Sequence, residues 1–240
     1  MAEWRDKGIL LKARPYGDSA WIVHFLTQDH GRFAGLVRGG QETKRQLQPG
    51  STCDLQWVSR LEDQLGMFRV ETEHAVAPRV LDDPLRLHAL ITTLNLLDKT
   101  LPEREPATGL FFATSVWTKL LEEQVWGETL VKLELGLLAY LGYGLELEKC
   151  AVTGATENLT SVSPRTGAAV CAEVAAPYAG KLLPLPAFLI DRSADGGVEA
   201  VIDGLNLTGY FLHNRVFAVT NTGLPSDRVK LVEKLNKAET

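Results

Sequence analysis

Residues 8–45 read GILLKARPYGDSAWIVHFLTQDHGRFAGLVRGGQETKR. Three apolar-rich runs, at 9–11, 21–26 and 33–37, are joined by turn signals at Pro15-Tyr16-Gly17-Asp18 and Asp29-His30-Gly31. Arg and Lys gather at the ends of those runs. Two further runs rich in β-branched and aromatic residues follow at 53–58 and 67–76, set off by Gly39-Gly40 and Pro49-Gly50. Five short strands with few intervening helices predict a five-stranded oligonucleotide-binding (OB) barrel. An SH3-like barrel meets the same pattern, and periodicity does not separate the two.

At Asp82 the period changes. Asp82-Asp83-Pro84 is a helix start, an Asp N-cap ahead of a Pro whose missing N–H costs nothing in the first turn. Leu85, Leu87, Leu90, Ile91, Leu94 and Leu97 then recur at largely helical spacing. Pro102 and Pro106 interrupt the pattern, and apolar helices are expected at 109–126 and 128–141, the latter stopped by Gly142-Tyr143-Gly144. Residues 145–180 read as loop, and the tail as helical again at 186–190, 205–217 and 226–235. The expected class is α+β: an OB-fold barrel (1–80), a helical bundle (81–145), a cysteine-bearing loop (146–180) and C-terminal helices (181–240) packing on the bundle.

A 45% hydrophobic and 23% charged composition is that of a globular chain rather than a disordered one. The N-terminus mixes acids with bases, unlike a signal peptide, and no uncharged run approaches the roughly 18 residues of a membrane span. A cytoplasmic protein with no membrane partner is expected. Three cysteines, Cys53, Cys150 and Cys171, are too few and odd in number for a disulfide framework. The net charge of −5 is unlike a nucleic-acid binder, but residues 1–80 hold 11 Lys+Arg against 10 Asp+Glu, whereas 81–150 hold 6 against 11. A local basic face governs phosphate contact more than the total does.

Catalytic signatures are missing. Gly35-Leu36-Val37-Arg38-Gly39-Gly40 has the spacing of two P-loop glycines, but Gln41 and Glu42 stand where Lys and Ser or Thr must follow. No G-x-S-x-G occurs, and Gly142-Tyr143-Gly144 lacks the third glycine of a dinucleotide fingerprint. A non-enzyme without a cofactor is expected. A nuclease or hydrolase built on Asp18, Asp29 and His30 is the remaining enzymatic reading. What the barrel does offer is a set suited to DNA: Lys12, Arg14, Arg32, Arg38, Lys44 and Arg45 for phosphates, and Tyr16 in a turn where its ring can stack on a base. Trp21, Phe25, Trp57 and Phe68 are stacking candidates too, though an aromatic in a strand is more often core.

The order of these motifs resembles the RecO family of bacterial recombination mediators. Lys12, Arg14, Tyr16, Gly17, Asp18 and Ser19 match its K-x-R-x-Y-G-[DE]-S turn, and His30, Gly31, Arg32 and Phe33 its H-G-x-[RF] turn. Leu101-Pro102-Glu103-Arg104-Glu105-Pro106 is similar to its inter-helix bend, and LELGLLAYLGYG (133–144) to the helix end before its cysteine loop. The resemblance implies a nucleoid-associated protein of the RecF pathway. Such a protein binds single- and double-stranded DNA, anneals complementary strands, and engages the acidic C-terminal tail of single-stranded-DNA-binding protein (SSB). With RecR it helps RecA, an indirect partner, replace SSB. An SSB tail needs an apolar pocket beside a cation, and Lys119 and Lys132 are the candidates. The chain also departs from the family. Gln41 and Glu42 replace bases of the barrel loop, which favours an alternative in which the protein is chiefly an SSB and RecR adaptor with weak DNA binding. Some members carry two C-x-x-C pairs that hold zinc. Here Cys150 and Cys171 match the first cysteine of each pair, while Thr153 and Val174 fill the second places. Two thiolates cannot close a tetrahedral site, so the loop is expected to be a degenerate zinc finger that folds without metal.

Overall fold

The computed structural model describes residues 1–240 other than Gln41, Glu42, Lys44, Arg45, Arg192, Asp195 and Thr240. Strand β1 runs Ala2–Tyr16, far longer than its short apolar run suggests. Its first half pairs antiparallel with β4 (Thr52–Ser59) and its second half with β2 (Ala20–Thr27). A register shift between Leu10 and Lys12 puts a bulge at Leu11, and a bulge bends a strand and sharpens its twist. One strand thereby serves two neighbours. β3 (Arg32–Arg38) continues from β2, β5 (Met67–His74) pairs with β4, and the parallel pair Leu36–Met67 closes the barrel in the order β1-β2-β3-β5-β4. That Greek-key closure is the oligonucleotide-binding arrangement rather than the SH3-like one.

Alternation decides what fills the barrel. Leu10, Val23, Phe25, Phe33, Cys53, Leu55, Trp57 and Phe68 point inward and are buried. Phe33 meets Trp57 edge-on at 5.1 Å between ring centroids, and Phe25 meets Phe68 at 5.3 Å. Burying each such ring stabilises by about 1.5–3 kcal/mol. Three of the rings considered as stacking platforms, Phe25, Trp57 and Phe68, are therefore core, and Trp21 packs against that core while partly exposed.

Helix α1 (Pro84–Thr100) starts as its sequence dictates, with the Asp83 carboxylate accepting from the Leu85 and Arg86 N–H groups at 3.0 Å each and Pro84 in the first turn. Helix α2 (Thr108–Lys119) follows the 101–106 bend and stops earlier than its apolar pattern suggests. The barrel and these two helices form one compact unit, Met1–Glu122; Glu123–Thr240 forms the other. The division falls inside the expected 81–145 bundle.

In the second unit α3 (Trp126–Tyr140) ends on Gly142 at φ +84, with Tyr143 N–H donating to Leu138 O and Gly142 N–H to Ala139 O, a Schellman stop. Residues 145–180, expected as loop, instead hold two of the three strands of a small sheet. There β6 (Leu159–Val162) lies between β7 (Ala169–Cys171) and β8 (Leu183–Pro184). Helix α4 (Gly197–Phe211) begins eight residues before the expected Leu205 and runs into a π-helical turn, Leu212–Phe217. A Cβ on Gly204 would meet Val131 at 2.9 Å and one on Gly127 would meet Val201 at 2.7 Å, so glycines let α3 and α4 approach closely. Helix α5 (Ser226–Glu239) supplies Arg228, whose buried guanidinium grips Glu134 of α3 at 2.6 and 2.8 Å. Thr208 of α4 also donates to that carboxylate.

Candidate nucleic-acid interface

Strand register places Lys12, Arg14, Arg32 and Arg38 on the outer face of the sheet formed by β1, β2 and β3. Lys12 faces His24, which faces Ala34; Arg14 faces Ile22, which faces Leu36; Tyr16 faces Ala20, which faces Arg38. Successive rows lie about 7 Å apart, so the face is graded along its length. At the Tyr16 end the turn before β2 needs Gly17 at φ +61, and the Gly39 N–H donates to Ser19 O at 3.0 Å.

The two ends of this face do different things. Asp98 of α1 enters at the Lys12 row, its carboxylate 2.5 Å from His24 Nδ1, 3.4 Å from Arg32 Nη1 and 3.9 Å from Lys12 Nζ. Burial opposes its ionisation, but the His24 hydrogen bond and the charges of His24, Arg32 and Lys12 outweigh burial and hold the carboxyl below its ordinary range. Arg32 is spent further: its Nε donates to Leu101 O at 2.8 Å and Nη2 lies 3.1 Å from Glu103. Its side chain is only 13% exposed. Lys12 and Arg32 thus sit on the seam between barrel and α1.

Arg14, Tyr16 and Arg38 are exposed at the other end, and among the described residues neither arginine makes an ion pair. The Tyr16 ring is 57% exposed. Lys44 and Arg45 lie outside the described residues. Next to Arg38, a cleft of about 410 Å³ between β3 and β5 is lined by Arg38, Arg69, Met67, Phe68 and Val70. Sequence reading missed Arg69. The alternation in Met67-Phe68-Arg69-Val70 was its signal, since an inward Phe68 turns Arg69 outward. On the face formed by β1, β4 and β5, which also carries Arg69, the Lys7 row is charge-compensated, with Lys7 held by Glu73 at 2.6 Å and Asp54 at 3.7 Å.

His30-Gly31-Arg32 and the 101–106 bend, two separate motifs in the sequence, meet in space. Arg104 N–H donates to Arg32 O at 2.9 Å, and a Cβ on Gly31 would fall 1.8 Å from Glu105 O. Arg104, itself at φ +62, lies over the Phe33 ring and donates to Glu62 O and Gln64 O of the turn between β4 and β5. The acid–histidine set weighed for hydrolysis is not assembled. His30 bonds Asp6 at 2.8 Å and stacks on Trp4, whereas Asp18 sits in the turn at the far end of β2, roughly 25 Å of strand away.

The candidate cations for an acidic tail lie in separate units. On α2, Phe112 and Val116 are exposed (52% and 54%), two turns and one turn before exposed Lys119, an apolar stripe ending in a cation. In the second unit Lys132 Nζ lies 5.6 Å from the centre of the Phe188 ring. In the cysteine loop the Thr153 hydroxyl lies 3.7 Å from the Cys171 sulfur. Two sulfurs and a hydroxyl are not a zinc donor set, and among the described residues no group of three or more His, Cys, Asp or Glu is placed to hold a metal.

The chain matches two family models, Recombination protein O N terminal over residues 1–74 and Recombination protein O C terminal over residues 81–221. It is 46% identical to the DNA repair protein RecO of Rhodospirillum centenum, covering 99% of this chain and 96% of that protein. Identity to the proteins of the same name is 44% in Rhodospirillum rubrum, over 99% of this chain and 98% of the relative, and 44% in Hyphomonas neptunium, over 97% and 98%.

Proposed function

The chain belongs to the RecO family of DNA repair proteins, and on that footing we propose that it is a recombination mediator without catalytic chemistry. It binds single- and double-stranded DNA at the Arg14–Tyr16–Arg38 end of the barrel, anneals complementary strands, and with RecR helps load RecA onto SSB-coated DNA. One observation carries this reading: two arginines that make no ion pair among the described residues flank an exposed tyrosine on one barrel face, beside a cleft that adds Arg69. Guanidinium groups with no carboxylate partner are available to phosphates, and an exposed ring gives a base a surface on which to stack. Annealing asks for nothing more than charge neutralisation and exposed bases. Lys44 and Arg45, which lie outside the described residues, are proposed to contribute to the same DNA binding. Lys12 and Arg32 are assigned to the Asp98 seam, where they orient the strands that carry the binding residues.

The test is annealing of complementary oligonucleotides coated with SSB, across a salt series, for the wild type and an Arg14→Glu/Arg38→Glu variant. Acceleration that fades with salt and is lost in the folded double variant is the expected result. Unchanged annealing by that variant would place the DNA surface elsewhere.

The stripe of Phe112 and Val116 ending at Lys119 supports a second reading, in which the protein is first an SSB adaptor. A tail with acidic residues and an apolar end matches that stripe in both charge and hydropathy. Lys119→Glu should then weaken SSB-tail binding while DNA affinity is kept; if Lys132→Glu alone weakens it, the tail site lies in the second unit.

A further inference from the structure

Cys150 and Cys171 are buried and unbridged in the second unit. Cys150 opens a tight turn in which the Gly154 N–H donates to its carbonyl at 2.9 Å, with Gly154 at φ +74, and the next residue is tied to β7 by Ala151 N–H donating to Ala169 O at 2.9 Å. Cys171 ends β7. The Thr153 hydroxyl of the same turn lies 3.7 Å from the Cys171 sulfur, so the turn that carries Cys150 packs against Cys171.

We propose that Cys150 and Cys171 form a hydroperoxide-responsive dithiol that closes to an intramolecular disulfide. The Cys150 thiolate attacks the terminal oxygen of a hydroperoxide, the O–O bond breaks, and the leaving alkoxide or hydroxide takes a proton, giving Cys150 sulfenic acid and an alcohol or water. The Cys171 sulfur then attacks the Cys150 sulfur. The S–O bond breaks, water leaves with the Cys171 proton, and the disulfide forms. In total two thiols and one hydroperoxide give one disulfide, one water and one alcohol (or a second water), and the oxidant takes the two electrons.

The surroundings favour Cys150 as the attacking sulfur. Hydrogen bonds from the Thr153 hydroxyl and then from backbone amides bring its pKa down to about 6, and the thiolate is the reactive form. Cys53 is the internal contrast. Burial inside the barrel is the main cause that pushes its thiol up to about 11, and no second cysteine lies in that core.

The experiment treats the full chain with hydrogen peroxide at neutral pH, then denatures it and alkylates the remaining thiols before mass spectrometry. Of the three thiols in the sequence, only Cys53 should be alkylated. The product should be lighter by two hydrogens before alkylation, yield a Cys150–Cys171 cross-linked peptide, and revert with dithiothreitol. Three alkylated cysteines after treatment, a Cys150 sulfinic acid beside a free Cys171, or a cross-link between chains would each overturn the proposal. These readings come from the wild type and need no variant to fold. In Cys171→Ser, dimedone should trap a sulfenic acid at Cys150, and a trap at Cys53 instead would also count against it.

Discussion

Asp98 is the residue on which the barrel's polar outer face turns. It collects His24, Arg32 and Lys12, three groups from three strands, at one carboxylate that is only 9% exposed. Because its pKa in the folded chain lies below the ordinary value, its contribution is present above the unfolded carboxyl pKa near 4 and is lost as pH falls through the lowered folded value. Asp98→Asn should therefore cost about 2–3 kcal/mol at neutral pH, with the gap to wild type closing in acid. Denaturant titrations at several pH values check this; a gap independent of pH would refute the charged role. A stricter version of the same physics operates at Glu134 and Arg228, both with side chains 2% exposed. Removing one partner strands a buried charge. Glu134→Ala should cost about 3–5 kcal/mol, and the double variant Glu134→Leu/Arg228→Met much less than twice that. Additive losses in a double-mutant cycle would show that the two do not act as a pair.

Among the elements, the turn between β2 and β3 and the 101–106 bend act as one joint. Gly31 stands at φ +69 with the Glu105 carbonyl where a Cβ would be, so any side chain there meets backbone and not a yielding rotamer. Gly31→Ala should destabilise the first unit by about 2 kcal/mol or more, read as a lowered denaturation midpoint. An unchanged midpoint would show that the joint relaxes at no cost. This joint also shows where sequence reading succeeds and where it stops. Turn glycines, the Asp83-Pro84 helix start and the Gly142 stop are local chemistry, and each was legible. The 15-residue β1 was not, because the bulge at Leu11 breaks the alternation and buries Ile9, Leu10 and Leu11 in a row. The β6–β8 sheet was not, since its longest strand has only four residues and alternation needs more than that to register. Most telling is the basic set. Arg32 and Arg38 look alike in the chain, and what separates them is Asp98, 66 positions beyond Arg32 and brought in by a helix. On α4 the reverse case occurs, a carboxyl with no such partner among the described residues. Burial and then Glu199 raise the pKa of Asp203, so its charge works against folding once pH exceeds the ordinary carboxyl value. Asp203→Asn should raise stability at neutral pH by about 0.2–0.5 kcal/mol, and the gain should vanish in acid.

Across the whole molecule the net charge is −5, so long-range attraction to DNA is weak and binding has to come from a few local contacts. That makes salt dependence a count of those contacts. If Arg14, Arg38 and Arg69 each neutralise one phosphate of a single strand, log affinity should fall with log salt at a slope of about −2, near −0.7 per contact. Each Arg→Ala change among the three should flatten the slope by about 0.7. Any contribution from Lys44 and Arg45 would steepen the wild-type slope without altering these increments. Lys12 supplies the control, because it shares the same strand and charge but leans on Asp98 at the seam. Lys12→Ala should leave the slope where it was. A slope that stays near −2 in the Arg14/Arg38/Arg69 triple-alanine variant, or one that Lys12→Ala flattens as much as Arg14→Ala does, would mean that DNA lies along the Asp98 end of the face, with α1 forming part of its path.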